Sequence, residues 1–199
     1  MSMSSIDKSN GYEGISAEFL ARRGSGRGIG IGAEQVRTWA RSLPPHATVL
    51  ELGSGPGYPT TVELIAEGLD VYALDASPTF VETFRTRFPD TPVACEAVED
   101  STFFDRTFDG VLAWGLVFLL AVEEQRRLIP RIGKILTQGG RFLFTAGDKP
   151  LVWDDAMTGQ ESRSLGAEGY RSLLRAAGFV EIREYQDEGG NHYFDAVNS

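Results

Sequence analysis

The sequence is poor in cysteine and histidine and has no long apolar run, and each shortage excludes a class of protein. Cys95 is its one cysteine, so neither a disulfide framework nor a cysteine-rich zinc site can be built within the chain. No stretch approaches the roughly 20 apolar residues of a membrane span. The longest candidate, Val111 to Val122, is interrupted by Trp114 and Gly115. Met1 to Asn10 is polar and lacks the apolar centre of a secretory signal. Together these features point to the cytoplasm. Excess cationic charge is also missing. A net charge of −9 opposes a nucleic-acid partner, whose binding depends on Lys and Arg neutralising phosphates. No internal repeat is visible. What remains is one ordinary globular domain of 199 residues, 42% hydrophobic, large enough to bury about 70% of its unfolded surface.

Against this background one segment stands out. Residues 49–58 read V-L-E-L-G-S-G-P-G-Y. Val49, Leu50 and Leu52 have the character of a buried strand. Gly53, Gly55 and Gly57 make a turn whose backbone can lie against a ligand because no Cβ intervenes. Val71 to Leu74 reads as the neighbouring strand, ending in Asp75, eighteen residues past Gly57. An acidic residue roughly 20 positions beyond a glycine-rich turn is the arrangement that holds ribose hydroxyls. A nucleoside-containing cofactor is the expectation.

Flanking segments extend the pattern. Residues 1–32 form an opening segment expected to be flexible, with a short helix over 12–23 carrying Ile15, Phe19 and Leu20, then a glycine tract over 24–32. Arg22, Arg23 and Arg27 beside that tract suit a carboxylate; a solvated loop is the alternative. Residues 33–199 form the domain proper. A helix over 33–42 stops at Pro44-Pro45. Strands and helices then alternate, which predicts a parallel sheet with helices on both faces. Ser77-Pro78 has the form of an N-cap followed by Pro at the first helical position. Further strands are expected over 91–95, 108–113, 141–146, 179–185 and 191–197, with helices over 121–137 and 167–177. The short turn at 187–190 makes the last strand antiparallel.

The block Glu51-x-Gly53-x-Gly55-x-Gly57, with Asp75, Phe108-Asp109-x-Val111 and Leu136-x-x-Gly139-Gly140-x-Phe142-Leu143, resembles the class I S-adenosylmethionine-dependent methyltransferases. The likeness spans Val49 to the C-terminus. It implies an α/β, Rossmann-like, seven-stranded mixed sheet of order 3-2-1-4-5-7-6, with strand 7 antiparallel and helices on both faces. It also implies S-adenosyl-L-methionine as cofactor. In the resemblance, Gly53, Ser54, Gly55 and Gly57 let backbone approach the methionyl portion and Glu51 orients its ammonium. Asp75 takes both ribose hydroxyls and Ala76 packs on the adenine. The Val98 N–H reads a ring nitrogen and Glu99 accepts from the adenine amino group, although a one-residue shift would give Glu96 that place. Ala113 offers its carbonyl near the sulfonium.

Ligands of open α/β sheets bind beyond the carboxyl ends of the strands, which selects the remaining candidates. Trp114, Phe118 and Trp153, with Tyr12 from the opening segment, form a candidate acceptor pocket. His192 is the candidate base, with a structural histidine of an edge hairpin as the alternative. No metal is expected, although Asp148, Asp154 and Asp155 admit Mg²⁺. No Asp/Asn-Pro-Pro-Tyr follows the fourth strand, no Pro-Cys pair is available for cytosine, and no extra domain stands ready to hold a polymer. A small molecule is therefore the expected acceptor. A nicotinamide-dependent oxidoreductase would require G-x-G-x-x-G and commonly Tyr-x-x-x-Lys, and no tyrosine here has Lys four positions on. A non-catalytic cofactor-binding module stays open, because the reaction needs no invariant catalytic side chain.

Overall fold

The computed structural model describes residues 7–23 and 30–199, without the side chain of Arg23. The expectations for residues 1–6 and for most of the glycine tract, including Arg27, lie outside the described residues. Helix α1 (Tyr12–Arg23) and α2 (Ala33–Ala40) precede the sheet. There follow β1 (Thr48–Leu52), α3 (Thr60–Ala66), β2 (Asp70–Asp75), α4 (Pro78–Arg87), β3 (Val93–Cys95) and β4 (Phe108–Ala113). The second half comprises α5 (Val122–Ile135), β5 (Leu136–Thr145), β6 (Pro150–Asp154), β7 (Glu161–Leu165), α6 (Gly166–Ala176), β8 (Phe179–Gln186) and β9 (His192–Asn198).

Seven strands form one sheet in the order β3-β2-β1-β4-β5-β9-β8. Strands β1 to β5 pair in parallel, and β9 runs antiparallel to both β5 and β8. Counting only strands of this sheet, the order is the expected 3-2-1-4-5-7-6. Alternation along the strands feeds two cores. Leu50, Val111, Phe142, Phe144 and Phe194 face α5 and α6, where Ile129, Ile132, Tyr170 and Leu174 meet them. Val49, Leu112, Leu143 and Tyr193 face the other way, against Val36, Trp39, Ala40 and Leu64 of α2 and α3. Burial on both faces explains why the central strands read as continuous apolar runs. Among the described residues no helix is long and apolar enough to cross a membrane.

Local signals act as expected at α4, where the Ser77 hydroxyl accepts from the Phe80 N–H at 3.2 Å and Pro78 opens the helix. Elsewhere boundaries move. The third strand is shorter than residues 91–95, and α3 starts at Thr60, two residues beyond the glycine motif's Tyr58. Helix α5 ends at Ile135, because Leu136 already pairs with Phe108 as the first residue of β5. Gln138-Gly139-Gly140 thus falls inside β5, where the register slips, and is not the helix stop. The hairpin β6–β7 has no counterpart in the sequence-based expectation. It forms a separate two-stranded sheet that carries Trp153.

Candidate active site

The carboxyl ends of β1, β2, β3 and β4 border a cavity of about 420 Å³. The glycine turn forms its floor. Gly53 and Ser54 both donate their N–H to the Leu74 carbonyl, at 2.9 and 3.1 Å, which ties the turn to the end of β2. Gly53, Gly55 and Gly57 all have positive φ, a conformation that costs other L-residues roughly 1–2 kcal/mol. At Gly55 an added Cβ would meet nothing, whereas at Gly57 it would lie 2.2 Å from the Phe88 ring. Gly55 therefore serves the cavity, and Gly57 serves the packing of the turn on α4.

Asp75 closes β2 and is nearly buried. Its two oxygens each accept one backbone hydrogen bond, from Gly55 N–H and Ser77 N–H, both at 2.8 Å. Burial pushes its pKa up to about 6; the two N–H donors oppose that shift and the Glu13 charge adds to it. Each oxygen keeps a lone pair for a further donor.

Glu51 lies behind the turn, away from the cavity lining. Its carboxylate accepts from the hydroxyls of Thr60 and Thr61 on α3. Burial, aided by the Asp75 charge and opposed by the two hydroxyls, raises its pKa to about 7. Both carboxyls thus hold protons in the folded chain that they release in the unfolded one. The resulting stabilisation is full below about pH 4 and is lost as pH rises through about 7. For Glu51 the loss is on the order of 3 kcal/mol. Glu51→Gln is expected to flatten the melting temperature between pH 4.5 and 7 and to melt above wild type at pH 8. A variant melting below wild type at pH 8 would show that the ionised carboxylate stabilises the turn.

The lining brings together most of the expected residues. Gly53, Ser54, Gly55, Asp75, Ala76, Val98, Glu99 and Glu96 all border the cavity, as do Tyr12, Trp114 and Phe118. Glu96 gives one oxygen to the Ser101 hydroxyl. The loop after β3 is held from α5 by Arg131, which donates to the carbonyls of Val98, Glu99 and Ser101. Trp114 donates its indole N–H to the Tyr193 hydroxyl at 2.8 Å, and that hydroxyl donates to Asp187 at 2.9 Å. Burial alone would raise the Asp187 pKa, but donors from Asn191, Tyr193 and Gly189 together hold it down.

Five expected residues lie off the lining: Glu51, Gly57, Ala113, Trp153 and His192. Ala113 is fully buried at the end of β4, and Trp153 packs behind Phe118 with ring centroids 5.8 Å apart. His192 shares a face of β9 with Phe194, against whose ring it packs edge-on. Its Nε2 meets the Glu184 carboxylate at 2.9 Å, and Arg171 engages the same carboxylate. The imidazole stands off the cavity lining, so the structure does not bring it to the site as a base. The neighbouring Asn191 reaches the cavity instead.

Residues the sequence reading missed include Glu13 and Tyr58. Glu13, on α1, accepts from the Thr79 hydroxyl at 2.7 Å, the Thr79 N–H at 3.2 Å and the Ser77 hydroxyl. Tyr58 lines the cavity with Arg87 stacked 4.8 Å from its ring centroid. No sequence signal marks these two. Among the described residues no group of three or more His, Cys, Asp or Glu converges to hold a metal ion. Asp155, one of the Mg²⁺ candidates, accepts the N–H groups of Met157 and Thr158, both at 2.9 Å.

Sheet order, a bare turn and a strand-terminal aspartate beside it are the arrangement with which open α/β sheets hold nucleosides. Residues 49–140 match the sequence profile of the methyltransferase-domain family. The matched segment carries the glycine turn, Asp75 and the strands on either side of them. An uncharacterized methyltransferase of Synechocystis sp. is 25% identical over 159 residues, covering 75% of this chain and 74% of that protein. The crystal structure of magnesium protoporphyrin IX methyltransferase from Synechocystis, with bound S-adenosylhomocysteine, superposes with a TM-score of 0.75. The two are 18% identical, over 97% of this chain and all of that one. A Burkholderia thailandensis 1,6-didemethyltoxoflavin N1-methyltransferase, with 1,6-didemethyltoxoflavin and S-adenosylhomocysteine bound, gives 0.69 at 20% identity, over all of this chain and 92% of that one.

Proposed function

We propose that the protein transfers the methyl group of S-adenosylmethionine to a small-molecule acceptor by direct displacement. The observation that carries this reading is a single cavity with Asp75 and the bare turn on one side and Trp114 and Phe118 on another. Asp75 receives the two ribose hydroxyls, Ala76 packs on the adenine, and Val98 with Glu99 or Glu96 reads its edge. Gly53, Ser54 and Gly55 approach the methionyl chain. Trp114, Phe118 and Tyr12 wall the acceptor side, which suits a flat or apolar molecule. The likeness to a toxoflavin-type N-methyltransferase that holds its heterocycle beside the spent cofactor supports the same division.

The thioether is a good leaving group, so the catalytic task is alignment of nucleophile, methyl and sulfur in a site shielded from water. Proximity of this kind can supply about 7–11 kcal/mol of the barrier. His192 stands off the cavity lining, and acceptors that are nucleophilic without prior deprotonation are favoured. Methyl-labelled S-adenosylmethionine incubated with the protein and a cell extract tests the reading. Label is expected in an ultrafiltrate product that separates from S-adenosylmethionine and forms only when the protein is added; label confined to protein or nucleic acid would overturn a small-molecule acceptor.

A further inference from the structure

The cavity roof is a short N-terminal strap, and it contains a polar group without a partner. Residues 7–13 cross the opening, with Asp7, Lys8, Ser9, Asn10 and Tyr12 on its lining. The strap is anchored on both sides of the nucleoside end. Lys8 pairs with Asp100 after β3 at 2.6 Å, and Glu13 holds Ser77 and Thr79 just after Asp75. Inside the strap, Asp7 accepts from the Ser9 N–H at 2.8 Å, and Ser9 caps the Glu13 N–H at 2.9 Å. Asn10, between the anchors, takes a left-handed backbone conformation with φ 52°.

The Asn10 side-chain nitrogen is enclosed and has no hydrogen-bond partner among the protein groups. Buried donors are almost always satisfied, because an unmet one carries the full desolvation penalty. Asn10 lines the same cavity as Asp75 and Glu99. An acceptor atom brought by the occupant completes it. We infer that Asn10 is a cofactor-binding residue, its carboxamide donating to an oxygen or ring nitrogen of the adenosine half of the bound cofactor.

This assignment rests on the proposed function and deepens it: within the strap, Asn10 reads the nucleoside, not the acceptor. Asn10 then contributes to cofactor affinity without touching the transferred methyl, and its removal raises the dissociation constant for any ligand with the adenosine half intact.

The test is calorimetric titration of wild type, Asn10→Gly and Asn10→Asp with S-adenosylhomocysteine and with 5′-methylthioadenosine, which lacks the amino-acid end. Glycine and aspartate both tolerate the left-handed backbone, and both remove the donor while leaving the sheet untouched. Both variants are expected to melt like wild type and to lose about 10-fold in affinity, by the same factor for the two ligands. Wild-type affinity in either variant overturns the assignment. So does a loss for S-adenosylhomocysteine without one for 5′-methylthioadenosine, since the amide would then serve the amino-acid tail. A wild-type protein that binds neither ligand overturns the proposed function itself, and this assignment with it.

Discussion

Asp75→Ala is expected to weaken S-adenosylmethionine binding at least about 100-fold. The carboxylate already accepts one N–H on each oxygen, from Gly55 and Ser77, and under the proposed function its remaining lone pairs go to the ribose hydroxyls. Two hydrogen bonds to a charged acceptor contribute about 3–6 kcal/mol, and each 1.4 kcal/mol is about a factor of ten. Asp75→Asn separates binding from folding. An amide retains one acceptor oxygen for the turn but loses the charge and the second acceptor. Because burial makes the ionised Asp75 costly, the asparagine variant should not melt below wild type at neutral pH, while its cofactor affinity still falls. The same raised pKa sets a pH dependence. Wild-type affinity is expected to decline as pH drops through about 6, since a protonated Asp75 has surrendered an acceptor. Calorimetry at pH 5 and pH 8 checks this; an affinity that is equal at both values would mean the ribose does not rely on the ionised carboxylate.

The second large effect separates two glycines of one motif. Gly57→Ala places a methyl 2.2 Å from the Phe88 ring, at a φ of +90°. Overpacking of about 1–3 kcal/mol adds to the left-handed penalty of roughly 1–2 kcal/mol. A destabilisation of about 3 kcal/mol lowers the melting temperature by roughly 6–12 °C in a chain of this size. Gly55→Ala meets no protein atom, so it carries the backbone term alone. Its methyl belongs to the turn against which the cofactor lies. Melting temperatures and S-adenosylhomocysteine affinities of the two variants should therefore diverge: Gly57→Ala the more destabilised, Gly55→Ala less destabilised but the poorer binder. Equal stability losses would show that the empty space beside Gly55 is needed by the protein rather than by the ligand.

The parts legible in the sequence were those written in local chemistry. Phe108–Ala113 and Tyr12–Arg23 form the elements their patterns predict, and the strand ends deliver Asp75 and Trp114 to one cavity. The hairpin β6–β7 was hidden because its inward positions on β7 are Ser162 and Ser164, so the alternation carries no apolar signal. The Ser164 hydroxyl instead donates to the Gly147 carbonyl at 2.6 Å and accepts from the Gly166 N–H at 3.0 Å. His192 has the chemistry of a base, yet strand parity places it with Phe194 and Ala196, on the face toward α6. Glu51 illustrates what sequence alone cannot hold. Thr60 and Thr61 capture its carboxylate only once α3 has turned back beneath the glycine bend. The strap is similar, since nothing in residues 7–13 announces that Glu13 will reach the first turn of α4.

Calorimetric titration of the wild-type protein with S-adenosylmethionine, S-adenosylhomocysteine and reduced NAD tests the central claim most directly. Saturable 1:1 binding of both sulfur nucleosides, abolished or severely weakened in Asp75→Ala, with no heat from reduced NAD, is the predicted result. Saturable binding of reduced NAD with none of either sulfur nucleoside would contradict it.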